Sequence, residues 1–523
     1  MELTLPAVLD AAAERDAGHA VLHCDGRDVT AGELHASSAA VTGALRAWGI
    51  APGDRAAIMM ANVPEFVGTW FGIARAGVIE VPVHGAYRGP LLEHILAESG
   101  ARVLFCDAGF LERLDGLALP ALERVVVRGE MPAGVAPPPG VLVSGLAEAL
   151  AAPPDPAPPR VAPGDVSCIL YTSGTTGPAK GVVLPHSANL ALARANVALM
   201  EYTAQDVLYT AFPLFHVNAK FTSVTSALLT GARLILDDRF SASRFWATMA
   251  EHGVTSFNYM GSLLTILAKQ PPGPGDRAHA VTRAYGGACP AALWEDFEAR
   301  FGVRLHEHYG MTEIGIATQN TRTVRRPGSC GRAAPDYEVR VADEDDDEAA
   351  IGELGELQVR PRRPGVMLRE YWARPAATIE ATRNLWFHTG DRARMDAEGF
   401  FYYADRLKDS IRRRGENVSS YDVESVVNAY AGVVESAAYG VPSELGEDDV
   451  MVAVVWSSEP DVAGLVEHCA ARLADFAVPR YLRAVDELPK TASQRVQKFR
   501  LREEGVVAGT VDRGERAGGR RAR

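Results

Sequence analysis

The segment Tyr171-Thr172-Ser173-Gly174-Thr175-Thr176-Gly177-Pro178-Ala179-Lys180-Gly181-Val182 follows an apolar run, Ser167 to Leu170. Glycines in such a loop free the backbone to turn successive N–H groups inward. The hydroxyls between them donate to oxyanions, and Lys180 adds a point charge, so the segment suits a polyphosphate. An NTPase P-loop requires glycine before its lysine and Ser or Thr after it. Ala179 and Gly181 stand there instead, which excludes that reading.

Three later runs carry compatible chemistry. Tyr309-Gly310-Met311-Thr312-Glu313 offers an aromatic face for a purine, a hydroxyl for a phosphate oxygen and a carboxylate for Mg²⁺. Trp386-Phe387-His388-Thr389-Gly390-Asp391 ends on a carboxylate, which accepts from two ribose hydroxyls at once. Asp405-Arg406-Leu407-Lys408-Asp409 is the last.

In this order the four runs resemble the signatures of the adenylate-forming superfamily, which holds acyl-CoA synthetases, luciferases and peptide-synthetase adenylation domains. The local pattern Pro213-Leu214-Phe215-His216-Val217-Asn218-Ala219-Lys220 resembles the crotonobetaine/carnitine-CoA ligase-like branch most. The resemblance implies that Thr172, Ser173, Gly174, Thr175, Thr176, Gly177 and Lys180 surround the phosphates of ATP, with Lys180 counted among the catalytic groups. It places Gly286, Gly287, Ala288, Tyr309 and Gly310 along the adenine, Thr312 at the α-phosphate and Glu313 on Mg²⁺. Asp391 falls to the ribose, Arg406 to ribose or phosphate, and Lys408 to a hinge. The implied reaction joins a small or aromatic carboxylic acid to AMP, releases pyrophosphate and passes the acyl group to CoA. Swinging about Lys408 then brings a second face, on the loop Gly415-Glu416-Asn417-Val418, to the same pocket.

Two positions depart from that pattern. Relatives carry a Gly-Lys pair where this chain has Gln494-Arg495, and arginine is a longer planar fork. Arg495 takes over the lysine's role, or Lys498 reaches in, or the acceptor geometry differs. His216 and Gly286 are expected to line the acid pocket. Lys220, on an otherwise apolar helix, either snorkels or pairs with an anionic end of the substrate. These departures keep other readings open: a diazotase-like enzyme that adenylates nitrite and couples it to an aromatic amine, an adenylation enzyme that loads a carrier protein, and a nucleotide-binding module without catalysis.

Elements must hold these loops in place. From Ala57 the chain reads strand, helix, strand, with Pro64 opening the helix, an apolar face of Phe66, Trp70, Phe71 and Ile73, and Gly77 as the stop. The pattern recurs at Leu91–Cys106 and at Trp294–Leu305, predicting an α/β fold of mostly parallel, helix-covered sheets. Residues 132–163, rich in Pro and Ala, read as an extended connector, and Asp343–Glu348 as a solvated acidic turn between strands. After Asp405 the units become smaller, with helices at 421–429 and 462–472 and strands at 433–441 and 450–455. The expected division is therefore a large N-terminal domain over 1–407, a small mobile α+β domain over 408–506, and a disordered basic tail over 507–523.

The 523 residues carry a formal charge of −13, which argues against a chain that coats nucleic acid or an anionic membrane. Six cysteines are scattered without a CxxC pair, as in a reduced cytoplasmic protein. No signal peptide or spanning segment is expected from an acidic N-terminus and short apolar runs. The implied partners are the acid and CoA, and a homodimer is compatible with the sequence without being required by it.

Overall fold

Alternation of helix and strand builds two large sheets in a computed structural model, which describes residues 4–131, 134, 138–172, 179–289, 291–343, 345–406, 410–443, 446–489, 496 and 498–514. The chain divides into two units. One comprises 1–85, 93–171 and 180–407; the other comprises 86–92, 172–179 and 408–523.

In the larger unit a nine-stranded sheet runs in the order Arg332–Ala333, Gly315–Gln319, Arg304–Met311, Arg283–Gly287, Ser256–Met260, Val207–Thr210, Arg233–Leu236, Ala20–Cys24, Arg27–Thr30. Its six central strands are parallel, and the outer pairings are antiparallel. An eight-stranded sheet has the order Glu370–Tyr371, Lys180–Pro185, Val166–Thr172, Ile79–Pro82, Arg55–Met59, Val103–Asp107, Arg124–Arg128, Leu142–Gly145. A third, antiparallel sheet of four strands joins Tyr337–Ala342, Gly355–Pro361, Phe387–Met395 and Phe401–Arg406.

Local chemistry explains the helices between them. Pro64 opens the helix Pro64–Arg75, where its missing N–H costs nothing, and Phe66, Trp70, Phe71 and Ile73 are buried. A capping box of Thr30 and Glu33 starts the helix Ala31–Ala47. The two helices cross closely because position 72 is glycine: a Cβ there would lie 2.6 Å from the Cβ of Val41.

The segment 132–163 is not a plain connector. Leu142–Gly145 adds a parallel strand beside Arg124–Arg128, and a short helix, Leu146–Leu150, follows and buries Leu146 and Ala149. Pro and Ala content hid an apolar pair that pays for ordering only through the neighbouring strand.

In the smaller unit a hairpin, Ser410–Arg413 with Glu416–Ser419, precedes a four-stranded sheet ordered Val433–Pro442, Asp448–Trp456, Tyr481–Ala484, Val511–Asp512. The helix Val462–Arg472 lies where the sequence predicts it. The tail expected from 507 is corrected: Val511–Asp512 pairs antiparallel with Tyr481–Leu482, and the Asp512 carboxylate accepts from Arg480. Among the described residues no helix is long and apolar enough to cross a membrane, and all six cysteines are free thiols.

Candidate active site

The phosphate-loop residues Ser173, Gly174, Thr175, Thr176 and Gly177 lie outside the described residues, as do Lys408 and Arg495. The loop's two flanks are defined: Thr172 ends one strand and Lys180 begins another. Gly181 has a packing reason of its own, since a Cβ there would sit 2.6 Å from Ile169 Cγ2.

Tyr309 stands where the strand Arg304–Met311 changes partners. Residues to Glu307 pair in parallel with Arg283–Gly287, whereas His308–Met311 turn antiparallel onto Gly315–Gln319. The carboxyl end of a parallel strand is the usual rim for a ligand in α/β sheets. From there the Tyr309 hydroxyl donates to Asp391 Oδ2 at 2.6 Å, joining two runs 82 residues apart. Asp391 is buried and lies in register with Arg406 on the neighbouring strand, so the third and fourth runs meet in the backbone ladder. The Tyr403 ring stacks on Tyr309 at 6.3 Å. Gly310 cannot be replaced, because a Cβ there would lie 1.9 Å from the Gly315 carbonyl oxygen.

The strip Gly286-Gly287-Ala288 ends the adjacent strand. A Cβ on Gly286 would come within 2.2 Å of the Tyr259 carbonyl oxygen, so that glycine answers first to the packing beneath it. Ala288 holds a left-handed φ of 63°, rare for a residue with a Cβ. Beneath the strip lies the buried Glu307, whose carboxylate accepts from the Tyr259 hydroxyl at 2.8 Å and from the Cys289 N–H at 3.0 Å. Burial pushes Glu307 up to about 8, the two donors and the Ala288 N–H working against it. Burial also pushes His306 and His308 down to about 4, and the His308 ring lies flat on Tyr285 at 4.3 Å.

Glu313 is buried and accepts from the Tyr371 hydroxyl at 3.0 Å, while the Leu368 N–H donates to its backbone carbonyl at 2.6 Å. The Lys180 ammonium lies 5.1 Å from the centroid of that same Tyr371 ring. Strand pairing of Tyr371 with Val182 fixes this meeting. Thr312 is half-buried in the turn before Glu313. The buried Glu313 carboxylate, with the Tyr371 hydroxyl on one oxygen, is an oxygen ligand of the kind a hard cation takes.

His216 is half-buried beside Phe215, whose ring stacks on His84 at 4.1 Å. The next residues, Asn218–Thr225, form a π-helix, a form found mostly as short bulges and often at functional sites. Asn258 ties it down, its Nδ2 reaching Asn218 Oδ1 at 2.6 Å and Ser223 Oγ at 2.7 Å. Lys220 is corrected. It does not snorkel: it is 0% exposed, ion-paired with the equally buried Glu80, and lies 4.4 Å from the Trp70 ring centroid. Residues Ala219–Thr225 of the π-helix are all buried, so a lysine there has to meet its counter-charge inside the protein. Lys498 is likewise engaged elsewhere, donating to Glu424 Oε1 at 2.6 Å and Ser420 Oγ at 2.8 Å.

Sequence reasoning missed Tyr371, Glu307, Tyr259 and the tethering role of Asn258. Glu307 had a signal, a polar His-Glu-His run inside a strand that must be buried on both faces. Tyr371 had none.

The profile of the AMP-binding enzyme family matches residues 9–372, and that of the AMP-binding enzyme C-terminal domain matches 422–495. A crotonobetaine/carnitine–CoA ligase of Citrobacter koseri is 32% identical over 470 residues, covering 87% of this chain and 89% of that protein. A long-chain-fatty-acid–CoA ligase of Mycobacterium tuberculosis is 32% identical over 486 residues, 91% and 93% of the two chains. The solved o-succinylbenzoate-CoA synthetase of Bacillus subtilis superposes with a TM-score of 0.84 at 24% identity, covering 95% of this chain and 98% of its own.

Proposed function

This chain belongs to the AMP-binding enzyme family, and from that premise we propose that it is an ATP-dependent, AMP-forming ligase joining a small or aromatic carboxylic acid to CoA. The observation that carries the reading is the Tyr309–Asp391 hydrogen bond, which brings the base platform and the ribose carboxylate to one place at a strand-end rim. The acyl–CoA ligase names of the relatives support the choice of acceptor.

Both reactants are anions, so the work is charge neutralisation and in-line positioning. Lys180, with residues 172–177, draws charge from the phosphates; Thr312 and Glu313 hold the α-phosphate and the magnesium of the MgATP substrate. Asp391 and Arg406 fix the ribose, Tyr309 and the strip 286–288 the adenine. The carboxylate oxygen of the acid attacks the α-phosphorus, the bond from that phosphorus to the α,β-bridging oxygen breaks, and pyrophosphate leaves. Arg495 meets the attacking carboxylate, taking the place of the usual lysine. The CoA sulfur then attacks the acyl carbon, AMP departs, and domain rotation about Lys408 separates the two steps. His216, Gly286 and the polar set around Asn258 bound the acid site, and a wall of that polarity favours a compact acid over a long chain. A cytoplasmic location, where free CoA is at hand, goes with this reading.

The test is AMP release against a panel of aryl and short-chain acids with and without CoA, with mass spectrometry of the thioester. Release that depends on an acid and CoA is expected. Release that needs nitrite and an aryl amine, or acylation of a phosphopantetheinylated carrier in preference to CoA, would sink the assignment. Arg495→Ala should lower acid-dependent pyrophosphate exchange more than thioester formation from a supplied acyl-adenylate.

A further inference from the structure

The strand that carries Asp391 is not regular. Against Gly355–Pro361, Arg392 pairs with Glu356 and His388 with Gln358, so Thr389, Gly390 and Asp391 all lie opposite the single residue Leu357. Such bulges re-aim a side chain next to an active site. Here the bulge turns Asp391 toward the Tyr309 hydroxyl, with Gly390 at a φ of 71° as the residue that permits it.

A bulge leaves a backbone group without its ladder partner, and side chains take over. The Thr389 hydroxyl donates to the Leu357 carbonyl at 2.6 Å and accepts from the Asp391 N–H at 3.1 Å. The Gly390 N–H donates to Glu356 Oε1 at 2.9 Å. The other oxygen of Glu356 lies 2.7 Å from His388 Nδ1, and His388, 3% exposed, has its Nε2 3.3 Å from the Arg383 carbonyl oxygen.

With Asp346 of the acidic turn, Glu356 and His388 present three ligand atoms within 4.8 Å of one another. That point is already served. The Gln358 Nε2 donates there, 2.8 Å from Asp346 Oδ1 and 3.2 Å from His388 Nδ1, its own Oε1 fixed by Arg340; the Arg383 guanidinium lies 3.6 Å from each carboxylate. The cluster is a brace, not a metal centre.

We propose that Glu356 is a positioning residue for the nucleotide: its hydrogen bond to Gly390 holds the bulge that aims Asp391 at the ribose. The proposal rests on the reading of Asp391 as the ribose carboxylate. Without Glu356 the half-buried Gly390 N–H loses its acceptor, and the aim of Asp391 goes with it.

The test is calorimetric binding of ATP and of 2′,3′-dideoxy-ATP to the full chain, which needs no knowledge of the acid. Wild type should bind the dideoxy nucleotide more weakly than ATP. Glu356→Ala should weaken ATP about ten- to a hundredfold and leave dideoxy-ATP nearly unchanged. Glu356→Gln, which keeps an oxygen for Gly390, should recover most of the ATP affinity. Equal weakening of both nucleotides, or no weakening of ATP, would overturn the positioning role. A wild type that binds ATP and dideoxy-ATP alike would remove the ribose assignment of Asp391, and the proposal with it.

Discussion

The larger unit contains two assemblies of the same three parts: a lysine, an aromatic ring and a glutamate. Lys220, Trp70 and Glu80 lie in the core, with lysine and carboxylate in direct contact and essentially no exposure. Lys180, Tyr371 and Glu313 lie at strand ends, where the phenol donates to the carboxylate and its face meets the ammonium. In the first the counter-charge is met inside the protein, so the pair is spent on structure. In the second each charged group touches the same ring, and the proposed reaction gives the lysine to the phosphates and the carboxylate to their magnesium.

Breaking each assembly separates the two roles. Glu313→Ala should abolish turnover, by a thousandfold or more in AMP release, with the melting temperature little changed; a variant that retains activity would strip Glu313 of its place in the site. Lys220→Ala should cost ~3–5 kcal/mol in denaturant unfolding, because Glu80 is left buried without its partner. The double replacement Glu80→Leu with Lys220→Met should restore most of that stability and keep kcat. If it folds well yet loses the acid reaction, Lys220 belongs to the substrate after all. Tyr371→Phe removes one hydrogen bond to a charged group and should lower kcat about tenfold, with the effect on folding smaller than that of Lys220→Ala.

The smallest effect is in pH. Burial lowers His186, His306 and His308 from 6.5 to about 4 and raises Glu307 from 4.5 to about 8. As pH falls from 6.5 toward 4, the unfolded chain takes up protons at three histidines that the folded protein refuses, so stability drops, opposed by the raised carboxyls Glu307 and Glu80. Between 6.5 and 8 the folded protein retains the Glu307 proton that the unfolded chain has lost, so stability falls as pH rises, by up to ~1.4 kcal/mol per pH unit. Urea unfolding should therefore peak near neutrality, and Glu307→Gln should flatten the fall between pH 6.5 and 8 and steepen the acid limb.

The parallel sheets and the four nucleotide runs were legible because each rests on local chemistry: Pro64 at a helix start, glycines at turns, a carboxylate after Thr-Gly. Lys220 was misread because its partner lies 140 residues away on another element. The strand at Leu142–Gly145 was missed for the same kind of reason, since only the neighbour Arg124–Arg128 makes it a strand. Tyr371 and Glu356 carry no signature at all; their roles come from register, which a single chain does not print.

The π-helix Asn218–Thr225 also bears on inheritance. Its hydrogen-bonded rings hold one residue more than those of an α-helix. Deleting a single residue there would let the segment close as ordinary α-helix, so that the chain beyond the gap keeps its facing while the side chains inside the segment change theirs. One codon thus suffices to move Asn218, Thr222 and Ser223 away from the Asn258 amide that gathers all three.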